Sequence, residues 1–133
     1  RVREVGDPRV NLLLDTHIVL WWWLDKPKLK HEVRQLIAAS DVVWVSGASA
    51  WEVAIKEAAG KLHLPAAFST MVTGENFSEL PVAFQHAERL KVLPRHHRDP
   101  FDRMLVAQAQ VEGATLVTHD RQFKPYDVRV VWV

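Results

Sequence analysis

Apolar residues follow two patterns along the chain: short continuous runs, and longer stretches with apolar positions three or four residues apart. Continuous runs are typical of buried strands, and the wider spacing is typical of helices that pack one face on a core. The runs predict strands over residues 10–14, 42–45, 115–118 and 128–133. The spaced stretches predict helices over residues 16–24, 29–39, 48–59, 65–73, 82–92 and 99–113.

Strands and helices alternate in this predicted order of elements. Such alternation predicts the α/β class, with a mostly parallel sheet covered by helices on both faces as a three-layer α/β/α architecture. A chain of 133 residues fits one domain, and it has no internal repeat, low-complexity tract or Gly/Ser linker. We therefore expect a single domain over residues 1–133, with residues 1–9 as an N-terminal segment that is either flexible or foreign to the natural chain.

The composition excludes several kinds of chemistry. The chain has no cysteine, which excludes disulfides, thiolate metal sites and cysteine nucleophiles, and suits a reducing cytoplasm. Its glycines are isolated, so we expect no nucleotide cofactor bound by a glycine-rich loop. The longest apolar stretch, residues 12–24, is interrupted by Asp15, Thr16 and His17 and is shorter than the ~20 residues of a membrane span. We therefore expect a cytoplasmic protein without a membrane partner.

Four acidic residues lie at the ends of predicted strands or in the first turns of predicted helices. Asp15 ends the first strand, Asp120 follows the strand over 115–118, and Glu52 and Asp102 lie early in their helices. Sites in open α/β sheets form beyond the carboxyl ends of the strands, where these side chains can meet. Together the carboxylates would repel one another unless a cation neutralised them. Oxygen ligands without cysteine favour Mg²⁺ or Mn²⁺ over Ca²⁺ or Zn²⁺, and such a centre predicts phosphodiester hydrolysis.

Each of these acids also has a purely structural explanation. Asp99 and Asp102 resemble a cap and a first-turn acid at a helix start, where negative charge is favourable. Asp120 is placed to cap the following turn, and Glu52 can pair with the lysine four residues later. Asp15 is the hardest to explain in this way, because a carboxylate that ends a buried strand is costly without a partner.

Four stretches of the chain, in this order, resemble the PIN-domain family and, within it, the VapC toxins. The matching stretches are Leu12-Leu13-Leu14-Asp15-Thr16-His17, Ser49-Ala50-Trp51-Glu52, Arg98-Asp99-Pro100-Phe101-Asp102-Arg103 with the following Leu105-Val106-Ala107-Gln108-Ala109, and Leu116-Val117-Thr118-His119-Asp120. Each stretch is weak alone, but the ordered set is specific. The resemblance implies a PIN-like fold and a Mg²⁺-dependent endoribonuclease that is the toxin of a type II toxin–antitoxin pair.

The resemblance also implies roles for individual residues. It implies a catalytic and metal-binding quartet at Asp15, Glu52, Asp102 and Asp120, with Mn²⁺ as a substitute for Mg²⁺. Asp99 is acidic and nearby, so it either replaces Asp102 as a ligand or supports it without touching the metal. Asp102 is the favoured metal ligand, because it lies just before the apolar part of its helix, as the corresponding acid of the family does. Thr16 and Thr118 are similar to the small polar residues that orient the metal-bound acids or water.

The same resemblance implies an RNA substrate, a homodimer and a VapB-type antitoxin whose tail occupies the active groove. A basic cluster is the candidate RNA contact, and it consists of Arg95, His96, His97, Arg98 and Arg103. Charge alone favours a solvated loop for this cluster. The neighbouring acids make an RNA-facing rim an equal alternative.

Three consecutive tryptophans, Trp21 to Trp23, lie on the first predicted helix. Three successive residues cover about 200° of a helical wheel, so at least one ring is expected to point away from the core. A dimer or antitoxin interface is the favoured partner for that ring, because tryptophan is enriched at interface hot spots. Base stacking is less favoured, because RNA-binding aromatic residues generally need a basic groove beside them.

Two other functions compete with the nuclease. One is a catalytically silent PIN-like module that keeps the pocket only to bind a partner. The other is a receiver-like Mg²⁺-dependent phosphoacceptor, which needs an acceptor aspartate at the end of a central strand and a late lysine. The second predicted strand runs instead into Ser46 and Gly47, and Lys124 is the one late lysine candidate, so the receiver pattern fits poorly.

Overall fold

The computed structural model describes residues 10–133, and the predicted N-terminal segment over residues 1–9 lies outside the described part. The strands are β1 Leu12–Leu14, β2 Val43–Ser46, β3 Ser78–Leu80, β4 Thr115–Thr118 and β5 Val130–Trp132. The helices are α1 Thr16–Trp23, α2 His31–Ala39, α3 Gly47–Ala58, α4 Phe68–Gly74, α5 Phe84–Val92 and α6 Pro100–Glu112, and a 3₁₀ turn spans Arg121–Phe123. None of the helices within residues 10–133 has both the length and the apolar character needed to cross a membrane.

The strands form one sheet in the order β3-β2-β1-β4-β5, and every neighbouring pair is parallel. The predicted α/β/α architecture with a parallel sheet is confirmed. Receiver-type domains have the strand order 2-1-3-4-5 instead. The observed order therefore argues against the receiver-like alternative.

The strand β3 is not predicted by the apolar pattern. Of its three residues Leu80 is buried, whereas Ser78 and Glu79 are exposed. The strand lies at the edge of the sheet and pairs with β2 alone. An edge strand with one buried side chain lacks the continuous apolar run by which the other strands are predicted.

Side chains of the central strand alternate between two hydrophobic cores. Leu12 and Leu14 pack in the core under α1, α2 and α4, whereas Leu13 packs in the core under α5 and α6. Both faces of β1 are therefore covered, and Leu13 and Leu14 have no exposed surface. Burying each of these side chains stabilises the fold by roughly 1.5–3 kcal/mol. The apolar run at residues 12–14 is a consequence of this two-sided burial.

The chain reverses the direction in which it adds strands at β1. From β1 it adds β2 and then β3 on one side, and it returns to add β4 and β5 on the other side. A crevice forms at such a switch point, beyond the carboxyl ends of β1 and β4. Asp15 follows β1, and Asp120 lies two residues after β4, so both acids are delivered to this crevice.

A buried hydrogen bond joins α3 to α6. The Ser46 hydroxyl caps α3 by accepting from the Ala48 amide at 2.9 Å, and it donates to Gln108 Oε1 at 2.5 Å. Gln108 has no exposed surface, and its Nε2 donates to the Pro81 carbonyl at 3.3 Å. Glu52 lies further along α3, and Asp102 lies on α6. The tie therefore limits sliding between the two helices that carry these acids.

We expect Gln108→Leu to lower the free energy of unfolding by about 1–3 kcal/mol, because it leaves the hydroxyl hydrogen of the buried Ser46 without an acceptor. Urea unfolding followed by circular dichroism measures the change. Gln110→Leu is the matched control on the same helix, where the hydrogen bonds are exposed, and its effect should stay within about 0.5 kcal/mol. A Gln108→Leu protein as stable as the parent would contradict this account of the tie.

Candidate active site

Asp15 lies at the bottom of the crevice and is 2% exposed. Its Oδ1 accepts from the His17 amide at 3.1 Å, which makes Asp15 the N-cap of α1. Its Oδ2 accepts from the Thr118 hydroxyl at 2.5 Å. The same hydroxyl oxygen accepts from the Asp120 amide at 3.0 Å. Thr118 thus connects the acid that follows β1 with the acid that follows β4.

Thr16 and Glu52 meet the crevice from α1 and α3. The Thr16 hydroxyl donates to the Ser49 hydroxyl at 2.8 Å, and both residues are buried. Glu52 is three residues after Ser49 and therefore lies on the same face of α3. Glu52 is 8% exposed, and its Oε2 is 3.2 Å from Lys56 Nζ. The expected pairing with a lysine therefore coexists with the position of Glu52 at the site.

Asp99 and Asp102 have different partners. Asp99 caps α6, because its Oδ1 accepts from the amides of Phe101 at 2.8 Å and Asp102 at 3.3 Å. The Asp102 carboxylate instead lies 3.1 Å from His97 Nε2. Asp99 is thus engaged with the helix start, whereas Asp102 faces the other acids of the site.

His97 is 6% exposed and lies inside the acidic cluster, not on a rim with Arg95, His96 and Arg98, which are exposed. Its Nε2 is 2.9 Å from Asp120 Oδ2 and 3.1 Å from Asp102 Oδ2. Ligand atoms of these three residues all lie within 4.8 Å of one another.

The loop around His97 sets the orientation of its ring. The Asp99 amide donates to His97 Nδ1 at 3.1 Å, which places the ring hydrogen of neutral His97 on Nε2, toward the carboxylates. The Tyr126 hydroxyl accepts from the amides of His96 at 3.1 Å and His97 at 2.8 Å. The ring packs against Phe123, with centroids 5.4 Å apart. The sequence shows two adjacent histidines but not these partners about 30 residues further on.

Contrary to expectation, Arg103 does not project freely as part of the basic cluster but bonds to the backbone. Its guanidinium donates to the carbonyls of Pro94 at 2.9 Å and Leu93 at 3.4 Å, and so holds the chain after α5. Arg95 and Arg98 line a cavity of about 440 Å³ together with His97, Pro100 and Arg103. The exposed positive charge around this cavity therefore comes from Arg95 and Arg98.

Burial and repulsion between the acids of the crevice change the pKa values of some of them. Burial, together with the charges of Asp15, Asp99, Glu52 and Asp120, raises the pKa of Asp102 from its ordinary value of 3.8 to about 8. Burial alone would also raise the pKa of Asp120, but hydrogen bonds from the Gln122 amide and His97 lower it. The hydrogen bond to Asp15 raises the pKa of His17. In the absence of a cation, one carboxyl of the cluster thus retains its proton at neutral pH.

This set of donors fits a divalent cation. The carboxylates of Asp102 and Asp120 converge, and burial together with the neighbouring negative charges, which a cation would offset, raises the pKa of Asp102. Carboxylate oxygens suit Mg²⁺ and Mn²⁺. Metal binding would require Asp102 to lose its proton.

The fold and this site define a parallel α/β domain with a carboxylate cluster at its topological switch point. The family model described as PIN domain matches residues 12–128. The chain belongs to the PIN domain family.

Known proteins with similar sequence or fold include VapC proteins and VapBC complexes. The chain is 27% identical over 119 residues to Ribonuclease VapC22 of Mycobacterium tuberculosis (strain ATCC 25618 / H37Rv), covering 87% of this chain and 92% of that protein. DNA-bound VapBC from Salmonella typhimurium matches with a TM-score of 0.68 at 20% identity, covering 92% of this chain and 97% of that one. VapBC2 from Rickettsia felis, bound to a promoter DNA fragment, matches with a TM-score of 0.64 at 14% identity, covering 92% and 98%. The two structures establish the fold.

We expect the metal-free protein to lose stability as the pH rises from about 4 to about 8. A carboxyl with a higher pKa in the folded state than in the unfolded chain binds its proton more tightly when folded, and this advantage disappears as the pH approaches the folded pKa of about 8. Asp102→Asn should therefore flatten the profile and raise the Tm at pH 8 by about 4 °C or more.

Thermal unfolding in chelator across this pH range measures the effect. Asp41→Asn is the control, because Asp41 is an exposed acid just before β2, away from the crevice. Parallel profiles for the parent and Asp102→Asn proteins would refute the raised pKa.

Proposed function

We propose that this protein is a metal-dependent endoribonuclease that hydrolyses RNA phosphodiester bonds and acts as the toxin of a VapBC-type pair in the cytoplasm. The proposal rests on one observation above all: ligand atoms of Asp102, Asp120 and His97 lie within 4.8 Å of one another next to Asp15, where burial and the surrounding carboxylates raise the pKa of Asp102. Carboxylates brought together from separate parts of the fold at such a cost are typical of metal-dependent hydrolytic centres. Membership of the PIN domain family and the likeness to a ribonuclease support the same function.

The proposed cation is Mg²⁺, with Mn²⁺ as a substitute, and its ligands come from Asp15, Glu52, Asp102 and Asp120. When bound, the cation supplies Lewis-acid stabilisation of the negative charge that builds on the phosphate during hydrolysis. Asp99 is not a ligand in this proposal, because Asp102 and not Asp99 lies with Asp120 and His97 within 4.8 Å, while Asp99 caps α6 and orients the His97 ring through its amide. His97 donates its Nε2 hydrogen to Asp102 and Asp120.

The hydroxyl groups at the site act on the acids and not on the substrate. Thr118 holds the Asp15 carboxylate in one orientation and fixes the start of the segment that carries Asp120. Thr16 links α1 to α3 through Ser49 and so fixes the face from which Glu52 enters. Both are positioning residues, which agrees with the role that the family resemblance implies for them.

The proposed RNA contact is the exposed part of the basic cluster. Arg95 and Arg98 line a cavity beside His97, His96 is exposed next to them, and none of the three forms an ion pair with a carboxylate of residues 10–133. Phosphate groups that approach the acids would be attracted by the two guanidinium groups. Arg103 stabilises this surface, because its hydrogen bonds to backbone carbonyls hold the chain between α5 and α6 in place.

The proposed partners are a cognate VapB-type antitoxin and a second copy of this chain. Solved complexes of the same fold include a toxin–antitoxin complex from Klebsiella pneumoniae, with a TM-score of 0.61 at 21% identity. For the homodimer, an apolar surface lies next to Glu52 and Asp102. Trp51 is 65% exposed and Ile55 is 48% exposed, and Trp51 packs its edge on Phe101 at 5.0 Å. A second subunit that covered these rings would remove them from water.

We expect the purified protein to cleave a structured RNA such as mixed transfer RNA in the presence of Mg²⁺ or Mn²⁺. Asp15→Asn and Asp102→Asn should each lower the rate by on the order of 100-fold or more, because each removes a charge that holds the cation. Mapping of new RNA ends by gel electrophoresis measures cleavage, with Asp41→Asn as the control. Cleavage that persists in excess chelator or in Asp15→Asn would count decisively against the proposal.

Calorimetric titration with Mn²⁺ at pH 7 distinguishes Asp99 from Asp102. Asp99→Asn should retain affinity within about threefold, because asparagine caps helices as well as aspartate does. Asp102→Asn should lose most of the affinity. Binding to the parent protein should release close to one proton, seen as a dependence of the enthalpy on the buffer, because Asp102 is protonated before the metal arrives. The opposite ranking would make Asp99 the ligand, and the absence of metal binding would favour a silent binding module.

A further inference from the structure

A second cavity of about 440 Å³ adjoins the acidic cluster and shares no lining residue with the cavity at Arg95 and Arg98. Its lining includes the acids Asp15 and Asp120 and the aromatic rings of Trp21 and His119. Its size is within the range of ~300–1,000 Å³ that is usual for small-molecule sites. The cavity opens directly beside the carboxylates.

Trp21 provides an aromatic surface that is held in place by neighbours from other parts of the chain. The His119 ring packs edge-on against it at 5.5 Å, and the His17 ring lies 6.4 Å away. His119 is itself held, because its Nδ1 is 2.6 Å from the Val133 carbonyl. Trp21 is half-buried against the core, so its ring is fixed but still reaches the cavity.

The other two tryptophans of the run have partners elsewhere. Trp22 Nε1 donates to Glu75 at 2.9 Å, and its ring packs on Phe77 at 5.6 Å. Trp23 packs edge-on against Phe68 at 5.0 Å. All three rings therefore have contacts inside the chain, and an external interface is not needed to explain them. Trp21 is the one of the three that lines the cavity.

Positive charge accompanies this aromatic surface. The Lys28 ammonium lies 5.5 Å from the centre of the Trp21 ring. Arg121 lines the cavity, and its guanidinium lies 4.6 Å from the centre of the Trp132 ring. Both cations are exposed. The folded chain thus supplies the basic surroundings that nucleic-acid-binding aromatic residues generally have.

We propose that this cavity binds one nucleotide of a single-stranded RNA segment, with its base on Trp21 and its phosphate near Arg121, next to the phosphodiester at the carboxylates. The proposal deepens the nuclease function and rests on it for the identity of the ligand. A base is favoured over a bare phosphate because the lining of the cavity includes aromatic rings as well as carboxylates. Every base has a π-face, so the site selects single-stranded geometry more than sequence.

The test measures binding of short oligoribonucleotides in the Asp102→Asn background, where the RNA is expected to stay intact and the cavity wall is unchanged. The probes are fluorescently labelled hexamers of adenosine and of uridine, and a backbone of the same length without bases. Trp21→Leu keeps an apolar side chain on the core but removes the aromatic face, and Trp21→Phe retains a smaller one. Phe84→Leu is the control, because Phe84 is 90% exposed on α5.

Trp21→Leu should weaken binding of the base-bearing hexamers by about fivefold or more, the lower end of what stacking on an aromatic residue contributes. Trp21→Phe should lose less, Phe84→Leu should lose nothing, and the affinity for the abasic backbone should be the same in all variants. Equal losses on hexamers and abasic backbone would overturn the proposal, as would an unchanged Trp21→Leu protein or no hexamer binding at all. A Trp21→Leu variant that lost only antitoxin binding would overturn it too.

The nucleotide site and the nuclease function can fail separately. If the parent protein leaves RNA intact with Mg²⁺ but binds hexamers in a way that depends on Trp21 and on the bases, the nuclease proposal fails and the nucleotide site stands. If it cleaves RNA and Trp21→Leu changes neither cleavage nor hexamer binding, the nuclease stands and the nucleotide site fails.

Discussion

Repulsion between buried carboxylates is the constraint around which this domain is arranged. Asp15, Glu52, Asp102 and Asp120 come from four separate parts of the chain, and burial together with the negative charge of the surrounding acids raises the pKa of Asp102 to about 8. Uncompensated carboxylates in a partly buried crevice are costly, so each is surrounded by donors that hold it. The Thr118 hydroxyl, the amides at the helix starts and His97 Nε2 supply these donors. A divalent cation would offset the charge that these donors leave.

The fold brings several N-cap residues together at one site. Ser46, Asp15, Asp99 and Asp120 are all N-cap residues, and each accepts from an amide in the turn that it begins. Ser46 ends β2, and Asp15 and Asp120 follow β1 and β4, so these three caps lie on one edge of the parallel sheet, whereas Asp99 follows α5 and a loop. The structural and chemical explanations of the acids are therefore not exclusive. Asp120 caps its turn through Oδ1 and contacts His97 through Oδ2, and Asp15 caps α1 through Oδ1 and accepts from Thr118 through Oδ2.

Features that depend on neighbouring residues could be predicted from the sequence, and features that depend on distant contacts could not. The strands at residues 12–14 and 115–118 and the acids beside them follow from local apolar runs and strand ends. The interior position of His97 depends on Phe123 and Tyr126, and the cationic surroundings of Trp21 depend on the folded positions of Lys28 and Arg121. The edge strand β3 lacks an apolar run because only one of its three residues is buried.

The Thr118 hydroxyl reaches Asp15 across a separation of 103 residues. A ribosome adds amino acids in order, so β1 lacks its neighbour β4 until residue 118 has been added, and contacts of such long range also form slowly. Until then Asp15 has neither the Thr118 hydroxyl nor Asp120 beside it. A polypeptide released before residue 118 would accordingly leave this carboxylate without the donor that orients it.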